Sequence, residues 1–177
     1  MAYIQPVPMD RIEDAELRDL IARCDEAGVP DARFARILAH KPEQAKAALA
    51  VILHSHQQGN VDHRLKEIIR IQLARFAEDE YFASLRSKRA LAEGLTEEMI
   101  EAGCGDYEDS PLFSDAEKCA LRFADQMFLD ASKVDKAFYD EMKEHYSEAE
   151  IMEIGSFIAI HYGVIKATRP LDLGPAT

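Results

Sequence analysis

The sequence has few cysteines, and their positions exclude several kinds of site. Cys24, Cys104 and Cys119 are odd in number and far apart, which argues against a disulfide framework. They form neither a C-x-x-C pair nor a zinc-binding spacing, so we expect each to be a small buried apolar residue. A glycine-rich phosphate loop and a known nucleophile motif are also missing from the sequence. We therefore expect no cofactor.

Positive charge is also scarce. The 21 lysines and arginines are outnumbered by 33 acidic residues, which gives a net charge of −12. Such a chain repels phosphate backbones, so we expect no nucleic-acid partner. No stretch approaches the roughly 20 apolar residues of a membrane helix, so we expect no membrane partner. The opening MAYIQPVPMD lacks the basic and apolar regions of a secretion signal, which predicts a cytoplasmic protein.

What the sequence does contain is a series of helical segments with clear stop signals. Residues 13–27 repeat apolar side chains at helical spacing until Gly28, and residues 42–59 begin at a proline and end at a glycine. Ser114 and Ser147 each begin an S-x-x-E capping pattern. No segment alternates with a period of two. The sequence therefore predicts an all-α fold, and its length suits a single domain, residues 1–177, with residues 1–40 as an N-terminal helical extension.

Two helical regions are especially informative. Residues 61–93 contain no glycine or proline, which predicts a central helix around residues 61–78, either continuous through the rest of that segment or broken between Glu78 and Tyr81. The late run IMEIGSFIAIHYGVIK is apolar on nearly all sides. A helix of this kind belongs in the middle of a core or at an oligomer interface.

Glu67 is the first candidate for chemistry. It can pair with Arg70 on a solvated face, which would give it no function. However, Ile71 and Ala74 lie on the same side of the helix, so the alternative is that both faces are covered and Glu67 is enclosed. Burial raises the pKa of a carboxylate towards neutrality, where it can act as a general acid or base. We expect a hydrogen-bonding partner nearby, either the Tyr81 hydroxyl or a histidine.

The stretch FAEDEYFASLR extends this hypothesis. If the helix continues, Tyr81 lies on the same stripe as Glu67 and Ala74 and faces inward, while Asp79 and Glu80 are solvated. The alternative is that Tyr81 is an ordinary core aromatic whose hydroxyl reaches water. Arg86 is either a surface charge or an anchor for a substrate carboxylate.

The histidines form a second group of candidates. His54, His56 and His63 surround Gly59, and His161 lies within the apolar C-terminal run. Zinc needs three or four ligands, and these spacings supply no such set, so we expect no metal. His161 is either a hydrogen-bonded core histidine or a side chain that faces a substrate together with Ile71 and Ala74. The sequence assigns no role to the other three histidines.

The segment EYFASLRSKRALAEGLTEEMIEAG resembles the one that identifies the carboxymuconolactone decarboxylase and alkylhydroperoxidase D-like superfamily. The family's closing pattern is A-x-x-x-G-[LV]-[ST]-x-E, matched here by Ala90, Gly94, Leu95, Thr96 and Glu98. The resemblance extends over residues 42–166, the family core. It implies a multi-helix bundle and a homo-oligomer.

The family's functional residues are only partly matched. Glu67 precedes Asp79 at the spacing that separates the family's glutamate from its first redox cysteine. The two cysteine positions hold Asp79 and Phe82, and the following histidine position holds Arg86. Tyr81 occupies a relay-histidine position of the peroxidase branch and the tyrosine position of the decarboxylase-like branch. This chain therefore resembles a member of the superfamily that lacks the C-x-x-C redox motif.

Three functions remain open on these residues. The first is a lyase-like small-molecule enzyme that performs cofactor-free acid/base chemistry, a decarboxylation or isomerisation, on an acidic or carbonyl substrate. In it Glu67 carries the proton, Tyr81 donates a hydrogen bond and Arg86 anchors a carboxylate. The second is an alkylhydroperoxidase-like antioxidant protein, disfavoured because no dithiol pair is present. The third is a non-catalytic binding or scaffold protein.

Overall fold

The computed structural model describes residues 2–176, and within that range its regular structure is entirely helical. This confirms the predicted all-α class. Short 3₁₀ turns occupy some of the connections. The helices are α1 Ala15–Ala27, α2 Ala32–Leu38, α3 Pro42–Gln57, α4 His63–Phe76, α5 Glu80–Ser84, α6 Lys88–Ala92, α7 Glu97–Gly103, α8 Asp115–Leu129, α9 Lys136–His145 and α10 Glu148–Thr168.

The helix boundaries follow from local hydrogen-bond chemistry. Gly28 ends α1 in the left-handed region with φ of 78°, which a residue without Cβ adopts without strain. Ser114 and Ser147 form the predicted capping boxes: each hydroxyl accepts from the third backbone N–H of its helix, and the glutamate there accepts from the serine N–H. Thr96 caps α7 in the same way, accepting from Met99 N at 3.2 Å.

The predicted central helix is α4. It packs against α10, α5, α7 and α8, and most of its side chains are buried, including the charged Lys66, Glu67 and Arg70. Of the two alternatives for residues 61–93, the structure has the broken helix: α4 ends at Phe76, and Glu78 adopts φ of 54°, so α5 starts in a new direction. Both faces of α4 are therefore covered, and the candidate site residues of its middle turns lie in the interior.

The N-terminal helices have a hydrophobic cluster of their own. Side chains of α1, including Leu17, Leu20 and Ile21, pack against Leu49 and Leu53 of α3. The larger cluster surrounds α4 and draws on α5, α8 and α10. Helix α3 contributes to both clusters, so it joins the extension to the rest of the bundle. The division into an extension at 1–40 and a core at 42–166 stays a prediction.

Within residues 2–176, no helix combines the length and the apolar character that crossing a bilayer requires.

Candidate functional site

The candidate site is built around Glu67, whose side chain is completely buried. Arg70, one turn later on α4, donates from Nε to Oε2 at 2.9 Å and from one terminal nitrogen to Oε1 at 2.8 Å. His56 of α3 lies 2.9 Å from Oε2 through Nε2, and the backbone N–H of Ser87 donates to Oε1 at 2.8 Å. The i, i+3 pair anticipated from the sequence exists, but it is internal rather than solvated.

The segment between α5 and α6 folds around this pair. Arg70 donates to the backbone carbonyls of Phe82 and Leu85, the latter at 2.8 Å. Ser87 then caps α6 through its hydroxyl and offers its own N–H to Glu67. The buried guanidinium thus satisfies carbonyls that would otherwise lack partners. The ion pair therefore holds the segment between α5 and α6 against α4.

The pKa of Glu67 is lowered, which corrects the expectation of a carboxylate near neutrality. Burial by itself raises this pKa, but the Arg70 guanidinium and the hydrogen bonds from Arg70 and His56 outweigh burial and hold the pKa well below its usual range. Glu67 is therefore ionised at neutral pH. An ionised carboxylate only accepts hydrogen bonds, so His56 donates from Nε2 and accepts from the Gln57 amide at Nδ1, 3.0 Å away.

Two more histidines adjoin His56. The His63 ring is centred 4.7 Å from it and the His161 ring 5.6 Å from it, and both are buried. His63 contacts the Ser87 hydroxyl at 2.8 Å, and His161 contacts the Ser55 hydroxyl at 3.4 Å, each through Nε2. Among the described residues, the Nδ1 atoms of His63 and His161 are buried without a hydrogen-bond partner.

These three histidines are neutral at physiological pH. Burial lowers the pKa of His56, although its bond to Glu67 opposes this, and lowers that of His161 well below its ordinary value. Burial and the neighbouring His56 lower the pKa of His63 to about 4. Among residues 2–176, no group of three or more histidine, cysteine or acidic side chains is arranged to hold a metal ion.

A cleft of about 630 Å³ lies beside this cluster, between α3 and α10. Ser55 and Phe157 separate it from the histidines, because Ser55 contacts His161 and the Phe157 ring lies 4.1 Å from that of His161. The cleft is lined by Ala50, Val51, His54, Ser55, Gln58, Gly59, Glu153, Ser156, Phe157 and Ile160. Its size is typical of sites for small molecules.

Tyr81 is buried as predicted, but its expected approach to Glu67 is wrong. Its hydroxyl donates to Asp31, the N-cap of α2, instead. The helical wheel assumed a continuous helix, and the turn at Glu78 rotates α5 away from the α4 stripe. Burial and the adjacent Asp31 raise the pKa of Tyr81, so the phenol stays protonated.

Two neighbouring expectations have different outcomes. Asp79 is buried rather than solvated, because its side chain caps α5 through Phe82 N and accepts from the Thr168 hydroxyl at 2.7 Å. Glu80 is exposed as predicted. Ile71 and Ala74 are completely buried in the main cluster.

Arg86 lies in the loop between α5 and α6, with its side chain partly exposed. It forms a two-pronged ion pair with Glu97, at 2.8 and 3.0 Å, and donates to the Ala83 carbonyl at 2.7 Å. Its role as a carboxylate anchor, and the proposed roles of Tyr81, Ile71 and Ala74, stay predictions.

Four polar residues of the site were missed by sequence reasoning. Ser55, Lys66, Ser87 and Glu153 lie on different elements and form no motif. One signal existed for Glu153: it lies on the same stripe of α10 as Phe157 and His161, at intervals of one helical turn, so a charge on that stripe faces the bundle.

The cysteines have no nucleophilic surroundings. Burial raises the pKa of the Cys24 thiol to about 12 and those of Cys104 and Cys119 to about 11. All three are free thiols. Cys24 and Cys119 are buried as expected, whereas Cys104 is only half-buried.

No protein-family model matches the sequence. No curated protein matches it either. Solved structures do match. The debrominase Bmp8 has a TM-score of 0.83 at 19% identity, over 99% of this chain and 92% of its own. A cysteine-to-alanine variant of that debrominase was solved with 2,3,4-tribromopyrrole.

Two bacterial proteins carry the same architecture. An uncharacterised peroxidase-related protein from Ralstonia eutropha, described as an alkylhydroperoxidase AhpD core, has a TM-score of 0.80 at 15% identity, covering 98% of this chain and 92% of that one. A putative antioxidant defence protein AhpD from Agrobacterium tumefaciens has a TM-score of 0.69 at 18% identity, covering 79% and 95%. The resemblance noted in the sequence is confirmed at the level of fold: this chain has the alkylhydroperoxidase D-like fold.

Proposed function

We propose that this protein is a small-molecule enzyme that performs cofactor-free acid/base chemistry, a decarboxylation or isomerisation, on an acidic or carbonyl substrate held in the cleft between α3 and α10. One observation carries the proposal: a buried, ionised Glu67 orients His56, the histidine between His63 and His161, and Ser55 connects this neutral cluster to the cleft. A neutral imidazole beside a substrate cavity is a suitable proton acceptor.

His161 acts as the base in this proposal. The Ser55 hydroxyl donates to the Ile52 carbonyl at 3.0 Å in the structure, and rotation of its O–H bond towards His161 Nε2 would make it a proton donor to the ring. Ser55 would then take a proton from the substrate while passing its own to His161. The negative charge of Glu67 favours the imidazolium that forms. Glu67 is therefore an electrostatic and positioning group rather than the proton carrier.

The test is a panel of small 3-oxo acids and unsaturated lactone carboxylic acids, followed by proton NMR in D₂O for deuterium exchange or loss of CO₂. Ser55→Ala and His161→Phe should each lower kcat/KM by about 10²-fold or more, the usual contribution of general acid/base catalysis. His145→Phe, at an exposed histidine of α9, is the matched control. Equal rates for His161→Phe and wild type would contradict the mechanism.

A binding or scaffold function is the second candidate. The observation in its favour is that both oxygens of Glu67 already have two partners each, as a purely structural carboxylate would. Absence of turnover across the panel, combined with tight binding of one of its members, would favour this function.

An antioxidant function is the third candidate, favoured only by the names of structures with the same fold. Asp79 and Phe82 occupy the cysteine positions, and the raised pKa of each remaining thiol disfavours the nucleophilic thiolate. We expect no dithiol peroxidase cycle. Rapid peroxide consumption that Cys104→Ser or Cys119→Ser abolishes would overturn this expectation.

A further inference from the structure

One end of the cleft holds a carboxylate in an unusually complete set of donors, and that carboxylate belongs to the chain itself. Glu153 of α10 accepts from the backbone N–H of Asn60 at 2.8 Å through Oε2. Its Oε1 accepts from the N–H of Val61 at 3.3 Å and from the Lys66 ammonium at 2.9 Å. Two backbone donors and a cation thus converge on one carboxylate, the arrangement that carboxylate recognition requires.

Lys66 is the unusual member of this set because it is a lysine with only 2% of its surface exposed. Its other two hydrogen bonds go to the backbone carbonyls of Gln58, at 2.6 Å, and Ser55, at 3.3 Å. All three partner residues, Ser55, Gln58 and Glu153, line the cleft. Two backbone carbonyls therefore hold the ammonium at the cleft wall, and only its third N–H donates to a side chain, that of Glu153.

The backbone around the carboxylate is equally fixed. Gly59 has φ of 109°, and a Cβ at that position would lie 2.1 Å from Glu153 Oε1. Glycine is therefore required both for the turn and for the close approach of a carboxylate. Glu153, by contrast, is a flexible side chain that keeps 20% of its surface exposed. The donors are thus backbone groups and a buried ammonium, whereas the acceptor is a partly exposed side chain with rotatable bonds.

We propose that the Lys66 ammonium and the N–H groups of Asn60 and Val61 form a carboxylate subsite for the substrate, and that Glu153 occupies it as an internal stand-in. A ligand carboxylate displaces Glu153 by taking over the same three hydrogen bonds, while the released Glu153 side chain is solvated at the cleft mouth. The inference rests on the proposed function for its catalytic meaning, because the same cleft contains Ser55.

The subsite also defines the ligand class. Glu153 is tethered and therefore competes at high effective concentration, so a ligand needs additional binding energy from elsewhere. The rest of the cleft supplies it through Val51, Phe157 and Ile160, which form an apolar wall. The ligand is therefore a carboxylate with a compact apolar body, such as a small aromatic or alicyclic acid, rather than a short polar diacid.

The test compares benzoate with its neutral isostere benzamide. In Glu153→Ala the stand-in is removed, so calorimetry should show benzoate binding about tenfold or more tighter than benzamide, and about tenfold or more tighter than benzoate binds to wild type. Glu148→Ala is the matched control, because it breaks an exposed Glu–Lys pair on the same helix, with Lys143 at 2.8 Å, that lacks converging backbone donors.

A second readout removes dependence on that one variant. In wild-type protein, millimolar benzoate should move the amide NMR resonances of Asn60 and Val61, and benzamide should not. Equal binding of benzoate and benzamide to Glu153→Ala, or an equal gain in Glu148→Ala, overturns the proposal, as does the absence of selective shifts. Binding can be measured without turnover. A protein that is inactive but selects benzoate would therefore contradict the proposed function and still support the carboxylate subsite.

Discussion

Glu67 and Arg70 are the residues on which both the site and the local fold depend. A fully buried ion pair gains little net stability over apolar residues, but removing one partner leaves an uncompensated charge in the interior. Here the guanidinium also holds the carbonyls of Phe82 and Leu85. The pair is therefore a structural requirement whatever chemistry the protein performs, and activity loss in a Glu67 variant is not by itself evidence of catalysis.

This gives a first prediction. Glu67→Gln should lower the free energy of unfolding by about 3–5 kcal/mol, the usual effect of breaking a buried pair. The double variant Glu67→Gln with Arg70→Met should recover part of that loss, because no unpaired charge is then buried. Urea denaturation of the two single variants and the double variant measures this coupling. Strictly additive losses would contradict the argument.

The buried histidines lead to a prediction about pH. In the unfolded chain a histidine titrates near pH 6.5, while burial keeps His56, His63 and His161 neutral in the folded protein to lower pH. As pH falls below about 6.5 the unfolded state therefore binds protons that the folded state excludes. The free energy of unfolding is therefore highest above that pH. Below it, the free energy should fall by about 1.4 kcal/mol for each histidine and each unit of decreasing pH.

The measurement is urea denaturation between pH 7 and pH 5. His161→Phe should reduce the slope by about one proton, according to the linkage relation. The exposed His145 on α9 provides the control, since His145→Phe should leave the slope unchanged. For His63, whose pKa is lowered to about 4, the loss continues down to that pH. A flat profile over this range would refute the assignment.

At the residue scale, the sequence predicted part of this site. Ile71 and Ala74 beside Glu67 indicated that the helix was covered on both faces, and the need of a buried carboxylate for a partner indicated a tyrosine or a histidine. The partner proved to be His56, because α3 packs beside α4, and no local pattern reveals which helices become neighbours. The pKa direction was missed because the alternative with an enclosed Glu67 did not include Arg70 as its ion-pair partner.

At the element scale, the turn between α4 and α5 determines which residues share a wall. Glu78 adopts the left-handed region, which is strained for a residue with a Cβ, and Asp79 then starts α5 by capping Phe82 N at 3.1 Å. Asp79 also ties this start to α10 through Thr168. The sequence offered a break near Glu78 as one of two alternatives, and the helical wheel assumed the continuous one. This is why the position of Tyr81 relative to Glu67 was predicted wrongly.

A pair of glycine substitutions tests the strain. Glu78 is left-handed, a conformation that costs roughly 1–2 kcal/mol for a residue with a Cβ. Glu78→Gly keeps the conformation but removes this cost, which offsets the greater conformational entropy that glycine loses on folding. Glu80→Gly, in the first turn of α5, has only the entropic penalty. We expect Glu80→Gly to be less stable than Glu78→Gly by about 1 kcal/mol. Equal melting curves would show that Glu78 is not strained.

At the scale of the whole molecule, the order of motifs along the chain was the most reliable signal. Capping residues and glycine stops predicted the helix boundaries. The short pattern from Ala90 to Glu98 indicated the fold, because its residues, although individually common, occur in the right order and spacing. The cleft and the carboxylate subsite could not be predicted, because residues 55–66 and Glu153 meet only when α10 packs against α3 and α4. Long-range packing of this kind has no local sequence signature.

The outer surface of α3 and α10 carries the last prediction, a homo-oligomer. Small and apolar residues form a groove of about 570 Å³ there, which shares Val51 and Ile160 with the cleft between α3 and α10, and Val51 is 51% exposed. Contiguous exposed apolar side chains are a feature of protein–protein interaction surfaces. A second copy of the chain would cover it and would also close one side of the cleft.

Light scattering should therefore give a mass well above the 19.9 kDa of one chain. Ala159→Arg, in the groove, should reduce the mass to that of one chain, whereas Ala137→Arg, at an exposed alanine of α9, should not. A wild-type mass near one chain would contradict the prediction, because the groove would then be an open surface of a monomer.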